Sequence, residues 1–129
     1  MTLPEEPEYQ YVMGVFTDDI GLVENAISKG VPVDAPLFGH GATALVVAVG
    51  KSEQMVRLLL NRGAPVNAED WEGVTPLLNA VYNGRVSIVA LLLEHGADPL
   101  HRTPWGAARE VAESEGSAEI VEMLLKAGG

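Results

Sequence analysis

MVRLLLNRGAPVNA at residues 55–68 and IVALLLEHGADPLH at residues 88–101 decide how this chain folds. The two segments align without a gap, and their glycines, Gly63 and Gly96, stand 33 positions apart. The same step back lands on Gly30 in LVENAISKGVPVDA (22–35), and a step of 32 forward lands on Gly128 in IVEMLLKAGG (120–129). A second recurring element precedes these: GATALVVAV (41–49) stands 32 positions before GVTPLLNAV (73–81). Such self-similarity describes one supersecondary unit stacked on copies of itself, each too small to bury its apolar face alone.

The unit can be built from its residues. Val56, Leu59 and Leu60, and again Val89, Leu92 and Leu93, recur at i, i+3 and i+4, which is one buried face of a helix. Gly63 and Gly96 stand where that helix must stop in a left-handed conformation, which glycine reaches without strain. Thr75-Pro76 is a helix start: the threonine can cap free amides, and proline suits the first helical position. Between the glycine stop and that start, residues 64–74 hold Pro65, Asn67, Asp70 and Gly73, the chemistry of an extended hairpin-like loop. The unit is therefore helix, short turn, helix, long loop.

Gly73-Val74-Thr75-Pro76-Leu77, then Ala80, Gly84, Ile88-Val89, Leu92-Leu93 and Gly96-Ala97-Asp98-Pro99, closely resembles the ankyrin repeat, whose period is also about 33 residues. The resemblance runs from about Tyr9 to Gly128 and implies an all-α ankyrin-repeat solenoid of about four helix-turn-helix repeats joined by hairpin-like loops, a single domain over 1–129. The repeats fall at about 8–35, 36–68, 69–101 and 102–129. The first lacks the Thr-Pro signature, and its leading helix over 8–16 carries polar residues suited to an end cap. The second has Thr43-Ala44-Leu45 in place of Thr-Pro-Leu. In the fourth, either Ala107-Ala108-Arg109 stands at the helix start or Thr103-Pro104-Trp105 begins a longer helix. The first option is preferred, because it keeps Ala112, Gly116, Ile120 and Val121 at a constant offset of 32 from their partners. The histidine usual after Thr-Pro-Leu is absent; Val46, Leu78 and Glu110 stand there.

Composition excludes several functions. The chain is 47% hydrophobic and 20% charged, so it is globular rather than disordered. Its formal charge of -10 argues against nucleic acid or an anionic membrane as partner. That acidity serves solubility first and is also compatible with a basic protein partner. By segment the net charge is -6 over 1–35, +2 over 36–68, -4 over 69–101 and -2 over 102–129. No cysteine is present, which removes disulfides, thiolate zinc sites and a cysteine nucleophile together. The start, MTLPEEPEYQ, has no secretory pattern, and the longest near-apolar stretch, 41–50, is half a membrane span, so a cytoplasmic location is expected.

Catalytic chemistry finds no foothold. His40, His95 and His101 lack metal-ligand spacing and suit loops and helix ends, and no cofactor is expected. None of the serines sits in a nucleophile elbow; Ser52 and Ser117 fall at helix starts as caps. Glu110, Glu113, Glu115, Glu119 and Glu122 look like a cluster but suit the solvated face of the last repeat. Met55, Met123 and the leucine runs are assigned to the core.

A non-catalytic protein-binding module remains, with no nucleic acid and no membrane as partner. The resemblance implies docking on the concave side, made of hairpin tips and first helices. Carried over by position, that side comprises Glu69, Trp71, Glu72 and Val74, with Tyr82 and Asn83, in the third repeat; Phe38, Gly39, His40, Ala42, Gly50 and Lys51 in the second; and Arg102, Trp105 and Ser114 in the fourth. The chain has only two Trp, three Tyr and two Phe, and Phe38, Trp71, Tyr82 and Trp105 all fall at or beside these positions. Exposed aromatics are the usual anchors of an interface. Packing between neighbouring hairpins is the alternative, evenly balanced for Phe38 and Trp105 and less favoured for Trp71 and Tyr82. Carboxylates around Trp71 point to a partner rich in Lys or Arg; Asp70 is set aside, since the family uses an acid there to organise the turn. The chain is similar to small stand-alone ankyrin proteins of bacteria, some of which are immunity proteins that neutralise toxins, often basic ones. The chain's small size and the lack of a second domain favour a stoichiometric inhibitor, monomeric when free, over a scaffold, and an adaptor stays open beside it. A structural repeat protein that self-associates or docks into a larger assembly through its end helices is the competing expectation.

Overall fold

A computed structural model describes residues 6–37 and 42–129. Among these the elements run α1 (Pro7–Thr17), α2 (Ile20–Ser28), α3 (Ala44–Ala48), α4 (Glu53–Asn61), α5 (Pro76–Tyr82), α6 (Val86–Glu94), β1 (Arg102–Thr103), β2 (Gly106–Ala107), α7 (Ala108–Ser114) and α8 (Ala118–Lys126). Each odd-numbered helix packs on the next even-numbered one, giving four antiparallel pairs. The odd helices then line up as one row and the even helices as another, so the pairs stack into a solenoid. This is the all-α repeat architecture expected from the period.

Local chemistry sets the boundaries. Asp19, Ser52 and Ser117 each accept a hydrogen bond from the backbone N–H three residues on, at 3.1, 3.1 and 3.4 Å, and start α2, α4 and α8. Thr75 caps α5 in the same way, with Leu78 N at 3.2 Å. Where the second helices end, Gly63 and Gly96 take φ of 88° and 89°. There the amides of Ala64 and Ala97 reach back to Leu59 O and Leu92 O at 2.9 and 3.0 Å, closing the last turn.

The core repeats with the sequence. Val23, Val56 and Val89 occupy one repeat position, Met55, Ile88 and Ile120 another, and Ala48, Ala80 and Ala112 a third; all are buried. The assignment of every leucine to the core needs correcting at the end of the stack. Leu125 is half exposed and Met123 only partly buried, because α8 is packed by neighbours on one side only. In the fourth repeat α7 starts after Ala107, the preferred register. Thr103-Pro104-Trp105 instead turns the chain between β1 and β2: the Thr103 hydroxyl accepts from Trp105 N at 3.1 Å and donates to Gly106 O at 2.9 Å.

Polar bridges run between repeats. Ser52 Oγ donates to Asp18 Oδ1 (2.8 Å), Asn79 Nδ2 to Val46 O (2.9 Å) and Arg85 to Val49 O and Lys51 O (3.2 and 3.1 Å). Asn67 accepts from Asp98 N at 2.8 Å and donates to Gly96 O at 3.3 Å, tying the loop after α4 to the loop after α6. Apart from the Ser52–Asp18 pair, which joins two side chains, these bridges satisfy backbone groups that the repeat itself leaves open.

Candidate functional site

The hairpin before α5 is built on Asp70. Its Oδ1 accepts from Glu72 N at 2.9 Å and Val74 N at 3.0 Å, while its own N–H donates to Val74 O. The carboxylate therefore shapes the turn and pushes Trp71 to the tip, where it is 79% exposed. Glu69 lies beside the next loop, with Oε2 2.9 Å from His101 Nε2, an ion pair only while the ring is protonated.

Below the tip lies a cleft of about 500 Å³ between the third and fourth repeats. Its lining combines Glu72 and Val74 from the hairpin, Leu78, Asn79 and Tyr82 from α5, Trp105 from the β1–β2 turn, and Val111, Ser114 and Glu115 from α7 and its end. Tyr82 is 63% and Trp105 55% exposed, whereas Leu78 and Val111 are buried and form an apolar floor. Asn79 is already committed, donating to Val46 O and accepting from Asn83. Glu72 and Glu115 have no ion-pair partner among the described residues.

The expected residues thus separate. Glu72, Tyr82 and Trp105 come together in the cleft, with Val74 and Ser114. Glu69, Trp71 and Asn83 lie outside its lining, Asn83 being bound to Asn79. Phe38 and His40 fall outside the described residues. Trp105, for which packing between hairpins was the alternative, is 55% exposed and lines the cleft. Leu78, Asn79, Val111 and Glu115 were missing from the expected set. Among the described residues no three His, Cys, Asp or Glu side chains are arranged to hold a metal ion, and no helix is long and apolar enough to cross a membrane.

The profile described as Ankyrin repeats (3 copies) matches residues 14–103, more than half of the chain. The chain belongs to the ankyrin-repeat family. Over 67 residues, half of its length, this ankyrin-repeat protein is 54% identical to a 2-5A-dependent ribonuclease of Mus musculus, of which it spans 9%. It is 36% identical over 110 residues to a B-cell lymphoma 3 protein homolog of Mus musculus, covering 83% of this chain and 24% of that one. A third relative, "Ankyrin repeat, SAM and basic leucine zipper domain-containing protein 1" of Neofelis nebulosa, is 36% identical over 104 residues, 75% of this chain and 21% of its own. The chain spans a quarter or less of each, so the ribonuclease's name attaches to that protein, not to the repeats shared here. Ankyrin repeats are in general a non-catalytic protein–protein interaction module, and this chain carries such repeats.

Proposed function

We propose that residues 1–129 act as one four-repeat domain that binds a basic protein partner through the concave face centred on the third repeat. The observation that carries this is the exposure of Trp71, Tyr82 and Trp105, the last two in one cleft, in a chain with so few aromatics. A solvent-exposed indole or phenol gains little from water; burying one against a partner contributes about 2 kcal/mol. Glu69 and Glu72 set the sign of that partner's surface, and Asn83 at the end of α5 adds a polar contact; Phe38 and His40, outside the described residues, are proposed as partner contacts from the sequence alone. The binder acts as a stoichiometric inhibitor of the immunity type or as an adaptor. It is a monomer when free, works in the cytoplasm and needs no cofactor.

The test is capture with the parent and with a Trp71→Ala, Tyr82→Ala double variant, at low and high salt. Both side chains are exposed, so the variant keeps the parent's thermal midpoint within about 2 °C. Loss of the specific partner from the variant, and weakening with salt in the parent, support the reading. A variant that retains every specific partner overturns the placement of the face.

Self-association has its own observation. Leu125 is half exposed at the outer end of α8, beside Val121 and the small residues Gly116 and Ala118. A dimer by light scattering that Leu125→Glu disperses supports this second reading. A monomer at high concentration rejects it.

A further inference from the structure

We infer that the cleft between the third and fourth repeats takes an arginine side chain from the partner. The inference rests on the concave-face reading above and narrows it to one cleft and one chemistry. Three layers of the cleft match three parts of that side chain. Val74, Leu78 and Val111 offer apolar surface to its methylene stem. Tyr82 and Trp105 present exposed rings, and a planar, weakly hydrated guanidinium stacks on such rings more favourably than a compact ammonium does. Glu72 and Glu115 stand at the lining with no cation paired to them among the described residues.

The other ion pairs sharpen that last point. Arg102 pairs with Glu110 at 3.0 Å, Arg109 with Glu113 at 3.6 Å and Lys126 with Glu122 at 3.1 Å. The chain's own bases therefore serve the neighbouring glutamates of the fourth repeat and leave Glu115 out. Arg85, the base of the third repeat, is occupied with the carbonyls of Val49 and Lys51. An apolar occupant would leave two carboxylates facing it with their hydration stripped, which is costly. A cation on a long apolar stem satisfies both demands. At about 500 Å³ the cleft exceeds one side chain, so it also admits the residues on either side of the arginine.

The test titrates the uniformly ¹⁵N-labelled chain with a capped Ser-Gly-Leu-Arg-Leu-Gly-Ser peptide, following the two indole N–H signals, which Trp71→Phe assigns. Central lysine, citrulline and norleucine replace the arginine in parallel peptides. The arginine peptide is expected to shift the Trp105 signal saturably and to leave that of Trp71 in place. Citrulline, which keeps the shape and loses the charge, should bind about ten-fold more weakly, and lysine about three-fold more weakly. A Glu72→Gln, Glu115→Gln variant should lose about ten-fold for the arginine peptide and nothing for norleucine. The inference is overturned if Trp105 does not respond, if citrulline or norleucine binds as tightly as arginine, if lysine binds more tightly, or if the glutamine variant binds as the parent does. Partner capture separates the two levels: should the peptide fail while Trp71→Ala, Tyr82→Ala still abolishes capture, the concave-face reading stands and only the arginine falls.

Discussion

Replacing Arg85 by alanine should unfasten the third repeat from the second. Position 85 is the repeat equivalent of 19, 52 and 117, where Asp19, Ser52 and Ser117 cap their helices. Arg85 makes no such cap at the start of α6. A missing cap costs about 1 kcal/mol, and a cation near a helix N-terminus about 0.5 kcal/mol more. The residue offsets this through its guanidinium, which donates to Val49 O and Lys51 O at the C-terminal end of α3, where the helix leaves carbonyls open and its dipole is negative. Hydrogen bonds from a charged donor contribute about 1.5–3 kcal/mol each. These are 3.2 and 3.1 Å long and only part-buried, so each falls a little below that range and the pair is worth about 2.5 kcal/mol. Relief of the dipole returns about 0.5 kcal/mol, so Arg85→Ala should cost about 2 kcal/mol, near 8 °C in Tm for a chain of this size. Arg85→Ser regains the cap and should cost about half as much. Urea unfolding followed by far-UV circular dichroism measures both, with m unchanged as the condition for comparing them. An alanine variant within 0.5 kcal/mol of the parent, or a serine variant less stable than the alanine one, would refute the assignment; both thresholds are set by the roughly ±0.5 kcal/mol scatter of neutral surface changes.

Three further outcomes follow from the packing. Gly14→Ala places a Cβ 2.8 Å from Val23 Cγ2 and 3.1 Å from Val23 N, forcing α1 away from α2, and should destabilise by about 1–3 kcal/mol despite a better helix propensity; a thermal midpoint equal to the parent's would contradict this. Tyr11→Phe removes the 2.7 Å hydrogen bond to Val33 O and should cost about 1 kcal/mol at neutral pH. Burial first, and the Asp34 charge second, raise the Tyr11 phenol above its ordinary 10.0, so the folded state holds this proton more tightly than the unfolded one. Its contribution is intact below that ordinary value and is lost as pH climbs through the folded one; stability curves of parent and Tyr11→Phe that fall in parallel above it would disprove the coupling. Asn67→Ala deletes the bridge to Gly96 O and Asp98 N and should cost about 1–2 kcal/mol, with faster hydrogen exchange at Asp98 N as the local reading that checks it.

Much of the fold was legible because each repeat restates it. A single glycine such as Gly63 is weak as a helix stop, but Gly96 repeats it at the same offset and the valines and leucines before both keep one face. The same register decided the fourth repeat, where the constant offset outweighed the local attraction of Thr103-Pro104 as a helix start. Arg85 shows what pattern alone does not carry. By local rules it is a poor residue at a helix start, and only the neighbouring repeat reveals that its side chain works on the end of α3. Glu115 failed for a related reason. Counted with four other glutamates it looked like one more solvated carboxylate, whereas the repeat offset aligns it with Asn83, already among the display positions.

The cleft itself arises from a break in that regularity. Tyr82 aligns with Gly50 one repeat earlier and with Ser114 one repeat later, so a large ring stands between two small residues in the row of first helices. Had position 114 also carried a ring, it would fill the space that now separates Tyr82 from Trp105. The buried positions Ala48, Ala80 and Ala112 cannot vary in this way, because the helices of adjacent repeats close over them. Stability is therefore held at positions where the repeats agree, and shape at positions where they differ. Ser114→Phe tests the distinction: it should leave the unfolding transition unchanged to within about 0.5 kcal/mol, since residue 114 is exposed, while narrowing the cleft. Loss of arginine-peptide binding without loss of stability would place recognition in the irregular positions, and a drop in stability of several kcal/mol would show that the cleft is part of the core after all.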